Sequence, residues 1–199
     1  MCRLIESICI LDGRIRNLEY HQQRMDEARL ELLKTTSELS LVDGLSHIGF
    51  RKYGKFKLRI AYSNEIEKIE LLPYTLREIH SFELIEAPDI DYRFKKEDRS
   101  VFETLKMQTL AAEIIITKNG WLTDTSYSNL VFKAGNEWFT PASPLLKGTM
   151  RSSLLDKGEI KEIPISKSDL KDFEGFKMIN AMISLSESPF YKLDKIRNL

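Results

Sequence analysis

The stretch from residue 122 to residue 155 constrains the fold more than any other, because it alternates short apolar runs with strong turn signals. A polar segment, TDTSYSN, precedes the apolar run NLVFKA, and a second run, EWFTP, ends at Thr140-Pro141. Just upstream, Asn119-Gly120 is a dipeptide typical of a two-residue hairpin turn. Gly148 then opens a segment with helical character. These features predict successive short strands followed by a helix.

The rest of the chain mixes strand-like and helix-like patterns. Apolar positions over residues 18–39 repeat with the period of an amphipathic helix. Further helices are expected at 41–49, 100–110, 149–157 and 168–173, and strands at 3–10, 14–18, 55–63, 66–73, 80–87, 112–117, 121–125, 129–134, 137–141, 159–165 and 176–185. Pro88 and the charged segment 89–99 interrupt these patterns. The sequence therefore predicts an α+β protein with an N-terminal lobe at residues 1–90, where the first strands pair antiparallel, and a C-terminal lobe at residues 91–199.

The charge balance argues against several classes of partner. Lys plus Arg and Asp plus Glu both number 30, so the formal net charge is zero and no nucleic-acid partner is expected. The basic run at residues 51–59 alternates like a half-buried strand. Cys2 and Cys9 lack metal-ligand spacing, so we expect no metal. No apolar run approaches the roughly 18–20 residues of a membrane span, and a cytoplasmic protein without a membrane partner is expected.

Four features could carry chemistry, although each alone has an ordinary explanation. Lys95 lies in a charged run typical of a solvated surface, and Asp124 precedes Thr and Ser as turn residues do. Arg24 borders the apolar stripe of a predicted helix, where arginines often lie along the surface. The segment Gly148–Met150 begins a helix, and helix starts bind anions through their N–H groups. Only their combination and order along the chain indicate a shared function.

Together these features resemble the class IV aminotransferase family, the fold-type IV pyridoxal-phosphate enzymes. The matching segments are YHQQR, KKEDR, DTSYSN, FTPASPLLKGTMR and INAM, in the family's order. The resemblance implies a two-lobed α+β fold, pyridoxal 5′-phosphate as cofactor, and a homodimer with its active site between the lobes. The apolar run at residues 2–11 also offers one face to a neighbouring subunit.

The resemblance also implies a role for each matching residue. Lys95 would form the Schiff base, and Asp124 would pair with the pyridine nitrogen, whose protonated form an adjacent carboxylate favours. The implied phosphate and further cofactor contacts are Arg24, Asn129, Gly148, Thr149, Met150, Asn180 and Ala181. Arg24 would add a bidentate contact, and Gly148 would let the backbone approach closely.

The sequence departs from the family pattern at three positions. Asp124 stands where the family usually has Glu, and Asp98 stands where it often has Asn. Branched-chain members place a Tyr where this chain has Ser100, so the partner of the cofactor's 3′-oxygen stays open, with Tyr92 and Arg99 as candidates.

The lysine motif and the Asn-Ala pair favour the lyase branch of the family. That branch releases pyruvate and p-aminobenzoate from 4-amino-4-deoxychorismate, and Arg59 and Arg151 are the candidates for binding the substrate's two carboxylates. Two alternatives stay open. One is an aminotransferase acting on a branched-chain or D-amino acid, and the other is a cofactor-binding protein without catalysis, against which the intact Lys95 argues.

Overall fold

The computed structural model describes residues 3–199, so Cys2 lies outside the described residues. The chain forms two compact units. The N-terminal unit contains the chain up to Leu76 together with Phe94–Asp98, and the C-terminal unit contains Arg77–Arg93 and Arg99–Leu199. Helices and strands occur in both units, so the predicted α+β class is confirmed.

The N-terminal unit is a four-stranded antiparallel sheet with one long helix. Its elements are β1 (Leu4–Leu11), β2 (Arg14–Ile15), α1 (Leu18–Leu32), α2 (Leu41–Leu45), β3 (Lys55–Tyr62) and β4 (Ile66–Pro73). The strand order is β2-β1-β3-β4. Side chains alternate across a strand, and Leu4, Ile8 and Ile10 of β1 are buried in one core with Met25 of α1. Glu6 lies in the same alternating row and is also fully buried.

The segment Phe94–Asp98 belongs to the N-terminal unit because it pairs with the start of β1. The N–H of Ile5 donates to the carbonyl of Lys95, and the N–H of Glu97 donates to the carbonyl of Arg3, both at 2.9 Å. Phe94 packs against the core of the same unit. These contacts attach Lys95 to β1, far from it in sequence.

The C-terminal unit is a seven-stranded mixed sheet with short helices. Its elements are β5 (Phe82–Glu86), α3 (Ser100–Lys106), β6 (Glu113–Lys118), β7 (Trp121–Thr125), β8 (Asn129–Ala134), β9 (Glu137–Pro141), α4 (Thr149–Asp156), β10 (Lys161–Ile163) and β11 (Gly175–Ile179), with 3-10 turns at Lys167–Asp172 and Leu193–Lys195. The order is β10-β9-β8-β7-β6-β5, and β11 pairs with β8. The turn at Asn119-Gly120 has the two positive φ angles, 53° and 80°, that its sequence predicts.

The structure differs from the prediction for β5. We expected this strand to pair antiparallel in the N-terminal lobe, but it pairs parallel with β6. Parallel pairing needs a long crossover, and the segment that contains α3 provides it. The division between the units therefore falls at 76/77 rather than at the 90/91 position expected from Pro88.

Several elements are shorter than predicted. β2 ends at Ile15, α2 at Leu45 and α3 at Lys106 rather than at residues 18, 49 and 110, β10 covers only Lys161–Ile163, and the helix expected at 168–173 is a 3-10 turn. The structural reason is clear for two more. Helix α1 ends at Leu32 instead of residue 39, since Lys34 adopts a φ of 54° and the chain turns until the carbonyl of Leu39 accepts from Gln22 Nε2. Strand β11 ends at Ile179 instead of residue 185, because the backbones of Asn180 and Ile183 bond to each other in a turn.

Candidate active site

The carboxylate of Asp124 is buried and held by hydrogen bonds in the C-terminal unit. Asp124 is 5% exposed near the end of β7. Its Oδ1 accepts from Asn129 Nδ2 at 2.7 Å, and its Oδ2 accepts from the N–H of Leu146 at 2.9 Å. Burial raises the pKa of Asp124 to about 6, although these two donors and the nearby Arg151 favour the ionised form. The result is a fixed, buried carboxylate that would be stabilised by a cationic ligand.

Asn129 lies opposite Asp124 because a tight turn joins β7 to β8. The two residues are antiparallel partners, which explains their spacing of five in the sequence. The hydroxyl of Thr125 accepts from the N–H of Ser128 at 3.0 Å and closes the turn between them. Asn129 Nδ2 also donates to the carbonyl of Leu146 at 2.9 Å. Asn129 therefore ties the carboxylate to the loop that leads into α4.

Gly148 is the N-cap of α4 and touches this cluster. A Cβ at position 148 would overlap Asn129 Oδ1, so a larger residue would push the amide away from Asp124. Thr149 and Met150 form the first turn of α4. The first intrahelical backbone bond is donated by Ser152, so the earlier N–H groups project from the helix end, where anions bind.

Arg151 lies on the inner side of α4. It is 3% exposed, donates through Nη2 to the carbonyl of Pro141 at 2.9 Å, and pairs with Glu162. Its positive charge partly opposes the rise in the pKa of Asp124 that burial causes. Within the described residues its buried Nε has no hydrogen-bond partner. These contacts attach Arg151 to the end of β9 and to Glu162, and its predicted substrate contact stays a prediction.

Asn180 and Ala181 lie in the turn after β11. Asn180 Nδ2 donates to Ser128 Oγ at 2.9 Å, and Asn180 Oδ1 accepts from the N–H of Met182 at 2.8 Å. Ala181 is half-buried between them. The side chain of Asn180 thus joins this turn to the turn that follows Asp124.

The two candidates for the cofactor's 3′-oxygen lie in the C-terminal unit. Tyr92 is 3% exposed, and its ring meets that of Phe102 edge-on at 4.6 Å. Arg99 donates through Nη2 to the carbonyl of Ser126 at 2.6 Å and lies over the ring of Phe102 at 5.0 Å. Arg99 is therefore hydrogen-bonded to the turn after Asp124.

In the N-terminal unit, Lys95 is half-buried on the segment paired with β1. It lies near enough to His21 to help lower the pKa of that imidazole, for which burial is the main cause. Arg59, on β3, donates to Glu70 at 3.1 Å and to Glu97 at 2.5 Å, and Glu97 is two residues from Lys95. Two carboxylates thus balance the charge of Arg59, and its substrate role stays a prediction.

Arg24 contacts a buried carboxylate on β1. Arg24 Nε and Nη2 donate to Glu6 Oε1 and Oε2 at 3.0 and 2.5 Å, and His21 Nδ1 lies 2.6 Å from Glu6 Oε2. Sequence reasoning selected Arg24 but missed Glu6. A lone carboxylate at an inward position of the apolar strand LIESICIL was the signal that could have revealed it.

The fold and these clusters define the class of protein. The model of the family described as amino-transferase class IV matches residues 3–187, so the chain belongs to the class IV aminotransferase family, a family of enzymes. This confirms the resemblance inferred from the motifs.

Similar proteins extend this assignment over most of the chain. An uncharacterized protein of Haemophilus influenzae is 36% identical over 188 residues, which are 93% of this chain and all of that protein. The crystal structure of a "putative 4-amino-4-deoxychorismate lyase" from Haemophilus somnus 129pt is 31% identical with a TM-score of 0.83, over 93% of this chain and 98% of that one. A hypothetical aminotransferase from Mycobacterium tuberculosis, in a PLP-bound form, shares the fold with a TM-score of 0.75 at 18% identity, over 98% of this chain and 82% of that one.

Within residues 3–199, no helix has the length and apolar character of a membrane span. No group of three or more His, Cys, Asp or Glu side chains in this range is arranged to hold a metal ion.

Proposed function

We propose that the chain is a pyridoxal-phosphate enzyme that cleaves 4-amino-4-deoxychorismate into pyruvate and p-aminobenzoate. The observation that carries the cofactor assignment is the buried carboxylate of Asp124, held by two donors and lying beside the start of α4. The lyase assignment is supported by the Lys-x-x-Asp-Arg motif at Lys95 and by the 31% identity to the Haemophilus somnus protein.

The residues of the C-terminal unit fit this cofactor chemically. A carboxylate whose pKa burial has raised to about 6 gains from pairing with a cationic pyridinium, which restores its charged form. The missing side chain of Gly148 leaves room for Asn129 to bond Asp124 directly beside the start of α4. A phosphate at this helix end would meet the N–H groups of Thr149 and Met150 and the positive end of the helix dipole.

Each remaining residue takes one task in this proposal. Asn129 orients Asp124, and Asn180 with Ala181 shapes the adjoining turn. Arg24 contributes a charge-assisted contact to the phosphate. When bound, the cofactor supplies an electron sink for the carbanion that forms at the substrate carbon.

Lys95 carries the covalent and proton-transfer chemistry in this proposal. Its amine would hold the cofactor covalently, and it would become free to act as a base when the substrate amine takes its place. The freed Lys95 Nζ then removes the proton from the ring carbon that bears the substrate nitrogen. Cleavage of the C–O bond at the neighbouring ring carbon would release enolpyruvate and make the ring aromatic, and protonation of the enolpyruvate methylene carbon would give pyruvate. Return of the Lys95 amine to its resting attachment would free p-aminobenzoate.

The first experiment tests the cofactor and its lysine. Purified protein should be yellow, and borohydride reduction followed by peptide mapping should place the pyridoxyl label on Lys95. The neighbouring Lys96 is the matched control, because Lys96→Ala should keep the label and Lys95→Ala should lose it. A label on Lys96, or no label, would contradict the assignment.

The second experiment separates lysis from amino transfer, since both reactions use the same cofactor residues. The protein is incubated with 4-amino-4-deoxychorismate and, separately, with branched-chain or D-amino acids plus a keto acid. Release of p-aminobenzoate and pyruvate in equal amounts supports the lyase, and a new amino acid supports the transaminase. A label on Lys95 without either reaction would indicate a cofactor-binding protein without catalysis. We expect the enzyme to act in the cytoplasm.

A further inference from the structure

A cluster of three polar side chains, Glu6, His21 and Arg24, is built into the core side of the N-terminal unit. Glu6 and His21 are both 0% exposed, while the side chain of Arg24 is 12% exposed. A carboxylate is costly among apolar side chains unless it is paired and hydrogen-bonded. Both His21 and Arg24 contact the carboxylate of Glu6, and Arg24 is the most exposed of the three side chains.

The geometry fixes the plane of the guanidinium group. The two carboxylate oxygens of Glu6 accept separately from Nε and Nη2 of Arg24, at 3.0 and 2.5 Å, in the two-pronged arrangement that constrains orientation. His21 and Arg24 are three residues apart on α1, so both reach β1 from one helix face. His21 Nδ1 lies 2.6 Å from Glu6 Oε2, which fixes the carboxylate in turn.

The charges of the cluster are balanced before any ligand binds. Although burial opposes ionisation, Arg24 and His21 lower the pKa of Glu6 to about 2. Burial lowers the pKa of His21, which favours its neutral form. An ionised Glu6 can only accept, so the proton of the neutral imidazole lies on Nδ1. The charge of Arg24 is thus offset by Glu6, and what Arg24 can offer a phosphate is chiefly a fixed direction.

We propose that Glu6 is a positioning residue that holds the guanidinium of Arg24 in the orientation needed to bind the cofactor phosphate, with His21 holding Glu6. This inference rests on the proposed function. A guanidinium group whose orientation is already fixed loses less conformational freedom when it binds an oxyanion. The carboxylate of Glu6 can therefore strengthen the contact between Arg24 and the phosphate without touching the ligand. Residues that orient metal ligands from behind change metal affinity about 10–100-fold when they are altered, and we expect an effect at the lower end of that range for Glu6.

The test compares pyridoxal 5′-phosphate with pyridoxal, which lacks the phosphate, in absorbance titrations of the cofactor-free full chain. Arg24→Met should weaken binding of the phosphorylated form at least tenfold and leave pyridoxal unchanged. Glu6→Gln should show a phosphate-specific loss of about tenfold, and the double variant should bind no more weakly than Arg24→Met alone. Glu27→Gln removes an exposed carboxylate from α1 and is the matched control, expected to bind both ligands normally.

Glu6→Asp keeps the charge but withdraws the carboxylate by one methylene, and it decides the question if Glu6→Gln does not fold. Equal losses for pyridoxal and its phosphate in the folded Glu6 variants would show that Glu6 only supports the fold. If the losses in affinity for pyridoxal 5′-phosphate multiply in the double variant, Glu6 does not act through Arg24. If Arg24→Met binds pyridoxal 5′-phosphate as tightly as the wild type does, Arg24 does not bind the phosphate and the inference is wrong. A wild-type chain that binds neither form would instead refute the proposed function.

Discussion

Replacing Asp124 with Asn should separate the function of the carboxylate from its cost to stability. The carboxylate accepts from both Asn129 Nδ2 and the N–H of Leu146, whereas an amide offers only one oxygen. One donor therefore loses its acceptor, which costs about 1–3 kcal/mol. The same substitution also has a stabilising effect at neutral pH, because it removes a carboxyl group whose ionisation is unfavourable in the folded protein.

The pKa of Asp124 sets the size and sign of the change in stability that comes from removing its ionisable group. Its value rises from 3.8 to about 6 on folding, and at 1.36 kcal/mol per pKa unit this corresponds to about 3 kcal/mol. A carboxyl with a raised pKa stabilises the fold below its unfolded value of 3.8 and loses that contribution as the pH rises through about 6. About 2 kcal/mol of the loss should fall between pH 4.5 and 7.5.

The assay is denaturant unfolding of the cofactor-free protein at several pH values. Between pH 4.5 and 7.5, the unfolding free energy of the wild type should fall by about 2 kcal/mol relative to that of Asp124→Asn. Asp89→Asn removes an exposed carboxylate from the same unit and should leave this pH dependence as in the wild type. With cofactor, Asp124→Asn should lose at least tenfold in turnover, since a charge-assisted hydrogen bond is worth about 1.5–3 kcal/mol.

Two results would refute this reasoning. A difference between the wild type and Asp124→Asn that does not change with pH would mean that burial does not suppress the ionisation of Asp124. Near-normal turnover in the variant would mean that another acid contacts the pyridine nitrogen.

Three other predictions follow from the same contacts. Gly148→Ala should displace Asn129 and weaken cofactor binding at least tenfold in a titration, because its Cβ would overlap the amide, while Gly49→Ala, whose Cβ meets nothing within 4 Å, should bind normally. Glu6 has its pKa lowered from 4.5 to about 2, so its contribution of roughly 3 kcal/mol is present above pH 4.5 and is lost as the pH falls through about 2; acid unfolding of Glu6→Gln should lack this step, and an unchanged acid profile would contradict the pairing. Light scattering at micromolar concentration should give twice the mass of one chain, as for the dimer that the family resemblance implies, and an active monomer would show that one chain completes the site.

Much of the candidate site could be predicted because its signals are local. Asp124 and Asn129 flank a four-residue turn, and Gly148 directly precedes the helix whose first turn contains Thr149 and Met150. The order of these residues along the chain was enough to indicate the family, which the match over residues 3–187 confirms. The strands around them were also placed well, since tight turns such as Asn119-Gly120 set their ends.

The partners of the site residues were beyond the reach of sequence patterns. Nothing near Arg24 in the sequence indicates that Glu6, eighteen residues earlier, would hold its guanidinium. Nothing near Asp124 indicates that the N–H of Leu146 would be its second donor. Such contacts form between segments that meet only when the sheet and its helices pack together.

The sequence by itself determined the local conformations of this protein: its tight turns, its helix starts and the alternation of its strands. These depend on preferences that extend over a few residues. Only the tertiary structure decided that β5 pairs parallel with β6 and that the segment bearing Lys95 pairs with β1. The choice of a strand's partner depends on which distant apolar faces can be buried together, and period-two alternation is compatible with several partners.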